Sequence, residues 1–397
     1  MSKNPSYVQS PLDRATALRQ TVITPGGRLL VADFSDSLQG QDTSKVIDLM
    51  PNRDGRRVFR FKFNAKDVDP LAAKAYGKDF IDIGKMSPGV IEDYLKQQEF
   101  DFALWYKHIA GYELSRALDY NAPFILQVAG CNFHSGTCDG GCLYCFVDNK
   151  LNDGLRQTGN KWLVEVDDVI DSFLMARDKV REIYKKQTGI DLNIKVLRVS
   201  GGEPTVVLDW IIKLWRRIEE RGEDMVGQVD TNLSTPHLWP IDYYRHLAVF
   251  PVKVLAAIKG TDNANLQDNV QANATISDQV FCLRTLVEAG LDIFPQMYNP
   301  NPASLKKWLE MIERHIENFA LRVHIGPLKP YGPTLARLKA KALREGKDPE
   351  KFSAQKIREW ERHYQECCNI LDEYLRKRYS VSYRHTVRSD VKLSMVR

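Results

Sequence analysis

The chain has little that would place it in a membrane or outside the cell. Met1 to Arg14 lacks an apolar signal core, and no run approaches the length of a membrane span. Seven cysteines in 397 residues are an odd, sparse set, unlike the framework of a secreted disulfide protein. Cys131, Cys138, Cys142 and Cys145 fall close together, whereas Cys282, Cys367 and Cys368 are scattered. Clustered free thiols suit a reducing compartment, so a cytoplasmic protein is expected. No internal repeat or low-complexity segment marks a solenoid. Charge of one sign is also scarce: a net charge of +5 does not by itself call for nucleic acid. Apolar content of 43% is ample for a buried core, and 27% charged residues is ordinary for a soluble chain.

What the chain does have is the stretch Thr137-Cys138-Asp139-Gly140-Gly141-Cys142-Leu143-Tyr144-Cys145-Phe146. Its cysteines have the spacing C-x3-C-x2-C, with an aromatic residue before the last. Three thiolates are one short of the set that fills an ordinary four-iron cluster. Structural zinc wants four ligands, usually in paired C-x2-C units, and no second pair matches this one. Cys131 allows another set, C-x10-C-x2-C through Cys131, Cys142 and Cys145; otherwise it is a buried thiol at a strand end.

From Pro123 a repeating order sets in. Apolar runs at 124–128, 194–199, 225–230, 252–258, 291–297 and 321–325 read as strands. Helical spacing marks 166–186, 210–220, 240–248, 275–288 (closed by Gly290) and 304–318, with Ser304 as N-cap. Strands that alternate with helices imply parallel pairing through crossovers. The expected fold is α/β, a partial (β/α)6 TIM-like barrel over 121–332. An N-terminal extension (1–120) precedes it, with short strands in Arg28–Ala32 and Val58–Phe63 and a helical 88–120. A basic, mainly helical C-terminal region (333–397) follows, with a long helix over 354–377. Arg384, Arg388, Lys392 and Arg397 beside Tyr379, Tyr383 and His385 give that region a basic, aromatic face. Nucleic acid or an acidic protein could bind such a face, although solvated helix faces are commoner.

Loops after the strands carry the polar candidates. Ser200-Gly201-Gly202-Glu203-Pro204-Thr205 follows the second strand, and Asp230-Thr231-Asn232-Leu233-Ser234 the third. Lys259 follows the fourth strand. Gln296, Tyr298, His324 and Lys329-Pro330-Tyr331-Gly332 lie further along the same rim. Barrel enzymes place their chemistry at strand C-termini. Read blandly, these are turns, helix caps and interior residues.

The C-x3-C-x2-C loop together with the downstream G-G-E-P segment resembles the radical S-adenosylmethionine (SAM) superfamily. The resemblance spans about residues 123 to 332. It implies a [4Fe-4S] cluster on Cys138, Cys142 and Cys145, whose open iron takes SAM. It further implies that Tyr144 stands against the adenine, that Gly201, Gly202, Glu203 and Pro204 hold the SAM amino group, and that Asp230, Asn232 and Ser234 face the ribose. Lys259 would meet a carboxylate. The implied activity is reductive cleavage of SAM by an electron from flavodoxin or ferredoxin. The resulting 5'-deoxyadenosyl radical would take hydrogen from a substrate. Gly130-Cys131-Asn132 and Lys259 are loosely similar to activating enzymes of glycyl-radical proteins, which points to a protein or peptide substrate. RNA, a small molecule, or a non-catalytic metal-binding module are the other readings.

Overall fold

The computed structural model of this chain describes residues 10–34, 38, 49–50, 59–61, 124–134, 140–156, 161–189, 191, 195–235, 237–380, 383 and 393–397. Cys138, the helical reading of 88–120, and Arg384, His385, Arg388 and Lys392 lie outside the described residues. The described strands are β1 (Leu29–Ala32), β2 (Leu49–Met50), β3 (Phe59–Phe61), β4 (Phe124–Val128), β5 (Lys161–Val164), β6 (Val196–Gly201), β7 (Val226–Thr231), β8 (Val252–Ile258), β9 (Asp292–Tyr298), β10 (Ile316–Glu317), β11 (His324–Gly326) and β12 (Ser394–Met395).

The fold is mixed α/β, built on a sheet in the order β11-β9-β8-β7-β6-β4-β1-β5. From β4 to β11 every neighbouring pair on this path is parallel. Each of these parallel strands lies beside the next parallel one because a helical crossover returns the chain to the same end. Parallel strands covered on both faces need continuous apolar runs, and all seven residues of β8 are buried. The outer edge of β4 is shared. β3 pairs antiparallel with its first part, and β1 meets it at Val128 and then carries β5.

Three expectations are corrected. The sixth strand expected at 321–325 starts later: Phe319–Arg322 is a short helix entered through Asn318 at φ +62°, and β11 runs His324–Gly326. A short apolar run is ambiguous between the two periods, and here buried Arg322 is held by Asp292 (2.7 Å). The helix expected at 304–318 spans Pro302–Ile312. Its N-cap is Asn301, whose Oδ1 accepts from the Ala303 amide (3.1 Å), while the Ser304 hydroxyl donates to Asp262 (2.7 Å). Residues 1–57, read as having no clear periodicity beyond a short strand, contain a helix, Pro11–Val22. It buries only Pro11, Ala15 and Val22, which is too few apolar positions to show a period.

Helix Leu208–Glu220 buries Trp210, Ile211, Leu214, Trp215 and Ile218 against the sheet. Gly227 in β7 makes room for it, since a Cβ there would lie 2.3 Å from Trp215 Cζ2. The indole is rigid and fully packed, so the strand or the ring must shift. Gly227→Ala is expected to lower stability by about 1–3 kcal/mol, the usual cost of overpacking. A urea midpoint shift with an unchanged m-value checks it.

The expected C-terminal region shares a core with the cysteine loop. Leu338, Ala342, Phe352 and Trp360 cluster with Phe133, Cys142, Leu143 and Tyr144. The long helix runs Pro349–Tyr379, started by the Asp348 side chain on the Lys351 amide (2.8 Å). No helix among the described residues is long and apolar enough to cross a membrane.

Candidate functional site

The sheet gathers its polar residues at the C-terminal ends of the parallel strands, around a cavity of about 290 Å³. Side chains two apart on a strand share a face, so Arg198 and Ser200, Asp230 and Asn232, and Leu255, Ala257 and Lys259 all reach it. Cys142, Tyr144 and Cys145 line it from the cysteine loop, and Gly201 to Pro204 from the end of β6. Lys329 and Tyr331 close the far side. Ser234, Gln296 and His324 do not line the cavity. The His324 ring is buried, stacked 6.4 Å from Phe294 and within 3.2 Å of the Tyr383 hydroxyl.

Glu203 is completely buried and already engaged. Oε1 accepts from Thr231 Oγ1 (2.8 Å), from the Thr205 amide (3.2 Å) and from the Thr205 hydroxyl; Oε2 accepts from the Asn232 amide (2.6 Å). Burial raises its carboxyl pKa, and these bonds oppose the shift. The carboxylate thus ties the end of β6 to the end of β7. The two preceding glycines have a packing reason. Gly201 sits at φ +113°, and a Cβ on Gly202 would stand 1.8 Å from Gly130 O. The Gly202 and Glu203 amides donate to Val128 O and Gly130 O, both at 2.9 Å.

Asp230 is held by Arg198 (Nη2–Oδ2 2.7 Å) and by Gln228 (2.9 Å). Asn232 Nδ2 donates to Asn132 Oδ1 (3.0 Å), and Asn132 Nδ2 to Ser234 Oγ (2.7 Å); the Ser234 hydroxyl donates back to Asn232 Oδ1. Lys259 pairs with no carboxylate among the described residues. Its ammonium lies 4.6 Å from the Tyr298 ring centre and 5.5 Å from that of Tyr144. The two rings stack at 5.9 Å, and Trp360 meets Tyr144 edge-on at 6.1 Å. The buried Tyr144 hydroxyl has no hydrogen-bond partner among the described residues.

Cys131 lines the same cavity as Cys142 and Cys145. Burial, reinforced by those two thiols, pushes the Cys131 thiol up to about 12. Burial pushes Cys142 up to about 11, against the pull of the Lys259 ammonium. These two cysteines are therefore neutral thiols without a metal, and a metal would displace their protons on binding. Asn232 Nδ2 points at Cys131 Sγ and Asn152 Nδ2 at Cys145 Sγ, both at 3.7 Å. Among the described residues, no three Cys, His, Asp or Glu side chains are gathered tightly enough for a single metal ion. Thiolates around a four-iron cluster stand further apart than those around one ion. The donor set, thiols with carboxamide N–H groups on their sulfurs, has the chemistry of iron–sulfur ligation.

The spacing rules missed three residues. Arg198 lies inside a strand, and Asn152 in a four-residue helix (Asn149–Asn152). Arg337 lies 192 residues from the carbonyl it binds. Arg337 is completely buried; Nη1 donates to Cys145 O (2.6 Å) and Nη2 to Val147 O (2.5 Å). The Thr334 hydroxyl also donates to Cys145 O (3.1 Å). Part of the basic character of 333–397 is thus spent inside the molecule, holding the cysteine loop.

No family model matches the chain, and no curated protein matches it. Among solved structures it is similar to histidine-tagged anSMEcpe with bound AdoMet, at 16% identity over 47% of this chain and 46% of that one, with a TM-score of 0.32. It is also similar to the cobalamin-dependent S-adenosylmethionine radical enzyme OxsB with aqua-cobalamin bound, at 15% identity over 57% of this chain and 30% of that one, with a TM-score of 0.34. The chain spans less than half the length of either.

Proposed function

We propose that this chain is a radical SAM enzyme: it holds a [4Fe-4S] cluster on Cys138, Cys142 and Cys145 and binds SAM in the adjoining cavity. The observation that carries the reading is the placement of Cys142 and Cys145 on one cavity with Gly201, Gly202 and Glu203, at the C-terminal ends of parallel strands. Neither motif has a bland need for the other, since Cys145 and Gly201 lie 56 residues apart in sequence, on separate loops. The sequential order of the parallel strands supports a partial (β/α)6 barrel.

When bound, the cluster supplies the electron that cleaves SAM reductively, giving the radical that takes hydrogen from substrate. The chain's own residues then have distinct tasks. The glycine turn and buried Glu203 shape one wall, whose oxygen acceptors suit the SAM ammonium. Arg198 neutralises Asp230, so that wall presents a paired charge. Lys259, unmatched by any described carboxylate, is the cation available for a carboxylate of SAM or substrate. The Tyr144–Tyr298 stack and Trp360 form an apolar side that excludes water. The electron donor proposed is a flavodoxin or ferredoxin, and the substrate a protein or peptide.

Anaerobic reconstitution with iron and sulfide is expected to give about four irons per chain. Dithionite plus SAM is then expected to release 5'-deoxyadenosine. Cys142→Ala is expected to lose both; retained SAM cleavage in that variant would sink the assignment.

A further inference from the structure

We propose that Asn269 is a positioning residue, which sets where the Lys259 ammonium stands relative to the cysteine loop. The inference rests on the function proposed above, with Lys259 taking the carboxylate of SAM, and deepens it by naming what fixes that cation.

Three observations carry it. First, Asn269 joins two sides of the cavity without lining it. Its carbonyl accepts from the amide of Leu143, between Cys142 and Tyr144, at 2.9 Å. Its Nδ2 donates to Lys259 O (2.7 Å). One residue, 2% exposed, thus spans the cysteine loop and the cation. The carbonyl used belongs to the last turn of helix Asn263–Val270, where no intrahelical donor reaches it.

Second, Lys259 lies just past β8, whose last ladder partner is at Ile258. Buried carboxamides take over there. Gln279 Oε1 accepts from the Lys259 amide (2.8 Å), and Asn269 binds the Lys259 carbonyl. Beyond its backbone, the side chain rests on the faces of Tyr298 and Tyr144, with the ammonium 4.6 and 5.5 Å from the ring centres. A shift of the peptide at 259 therefore shifts the ammonium.

Third, a carboxamide suits this place and its charged isostere does not. Nδ2 spends its two N–H groups on Lys259 O and Asn299 O (3.0 Å), and Oδ1 accepts from Asn299 Nδ2 (2.7 Å). Asn299 is pinned in turn, at φ +48°, with its Oδ1 3.1 Å from Nδ1 of His363 in the long helix. A buried asparagine that only satisfied carbonyls would affect stability and leave the cation in place.

The test uses the full chain with two substitutions. Asn269→Asp is nearly isosteric but turns acceptors towards two carbonyls. Asn269→Ser takes both amide donors away without adding a charge. In the metal-free chain, the lysines are dimethylated with isotope-labelled formaldehyde, which keeps their charge. The Lys259 resonance is identified by its absence in Lys259→Arg. It is expected to be shifted by the tyrosine rings in the parent and to move towards the ordinary dimethyl-lysine position in both Asn269 variants. An unmoved resonance in both overturns the proposal. In the reconstituted chain with dithionite, the KM for SAM in 5'-deoxyadenosine release is expected to rise roughly tenfold in Asn269→Asp, the worth of one charge-assisted bond, with kcat little changed. In a Lys259→Ala background the same substitution is expected to add nothing. An unchanged KM, or a further full rise in that background, overturns the proposal, because Asn269 would then not act through Lys259. Loss of iron from both Asn269 variants would show a brace of the cysteine loop alone, and also overturns it. A parent chain that takes up no iron removes the function proposed above, while the resonance in the metal-free chain still decides whether Asn269 places Lys259.

Discussion

Arg337→Met is expected to leave a folded chain whose reconstituted iron centre is harder to reduce and more easily lost. Arg337 is fully buried, donates to the carbonyls of Cys145, Val147 and Pro333, and leaves Nε without a partner among the described residues. No described carboxylate neutralises it. A buried cation without a counter-ion is costly, so an anionic group nearby would offset the cost. Its field reaches the cavity, because it opposes the rise in the Cys142 pKa. Methionine removes the charge and the bond to Val147 O, at about 1–3 kcal/mol, while the Thr334 hydroxyl still donates to Cys145 O. Loss of the buried charge offsets part of this, so the metal-free chain stays folded. Removing one positive charge beside the centre, at an effective dielectric constant of about 20, is expected to lower its one-electron potential by on the order of tens of millivolts. A redox titration followed by EPR measures it. Arg337→Lys keeps the charge without the fork, and is expected to hold its potential near that of the parent. A potential unchanged in Arg337→Met would show that the residue only braces the loop.

Gly202→Ala has the larger expected effect on stability. The added methyl would lie 1.8 Å from Gly130 O and 2.3 Å from Gly130 C, and both are backbone atoms. No rotamer change relieves such a clash; β6 must separate from the turn after β4. That costs the 2.9 Å bonds from Gly202 N and Glu203 N, and tilts Glu203 away from Thr231 and Asn232. The expected loss is at least about 3 kcal/mol, the upper end of overpacking costs. Gly26→Ala is the control, since a Cβ there meets nothing closer than 3.9 Å. Guanidinium unfolding of both variants decides it: similar midpoints would mean that the turn relaxes freely.

The parallel strands were largely legible because their burial is a local property. The run at 124–128 and the one at 252–258 coincide with β4 and β8 residue for residue. The start of the run at 321–325 was misread because a few apolar residues fit either period, and buried Arg322, in the short helix before β11, belongs to a distant pair with Asp292. The polar residues after the strands were legible as a set, since any chain of alternating strands and helices brings its strand ends together. Their partners were not. Asp230 could be read as free for a ligand, but β6 lies beside β7 and puts Arg198 on it.

The sequence by itself determined most of the parallel strands, the cysteine spacing and the glycine turn. Each of these depends on neighbours within a few positions along the chain. Only the tertiary structure decided that Gly202 must lack a side chain because of Gly130, that Cys131 shares a cavity with Cys142 and Cys145, and that Arg337 grips the cysteine loop. Those facts depend on strand order, register and helix docking, which bring together residues far apart in the chain. No pattern with a period of two or 3.6 residues carries that information.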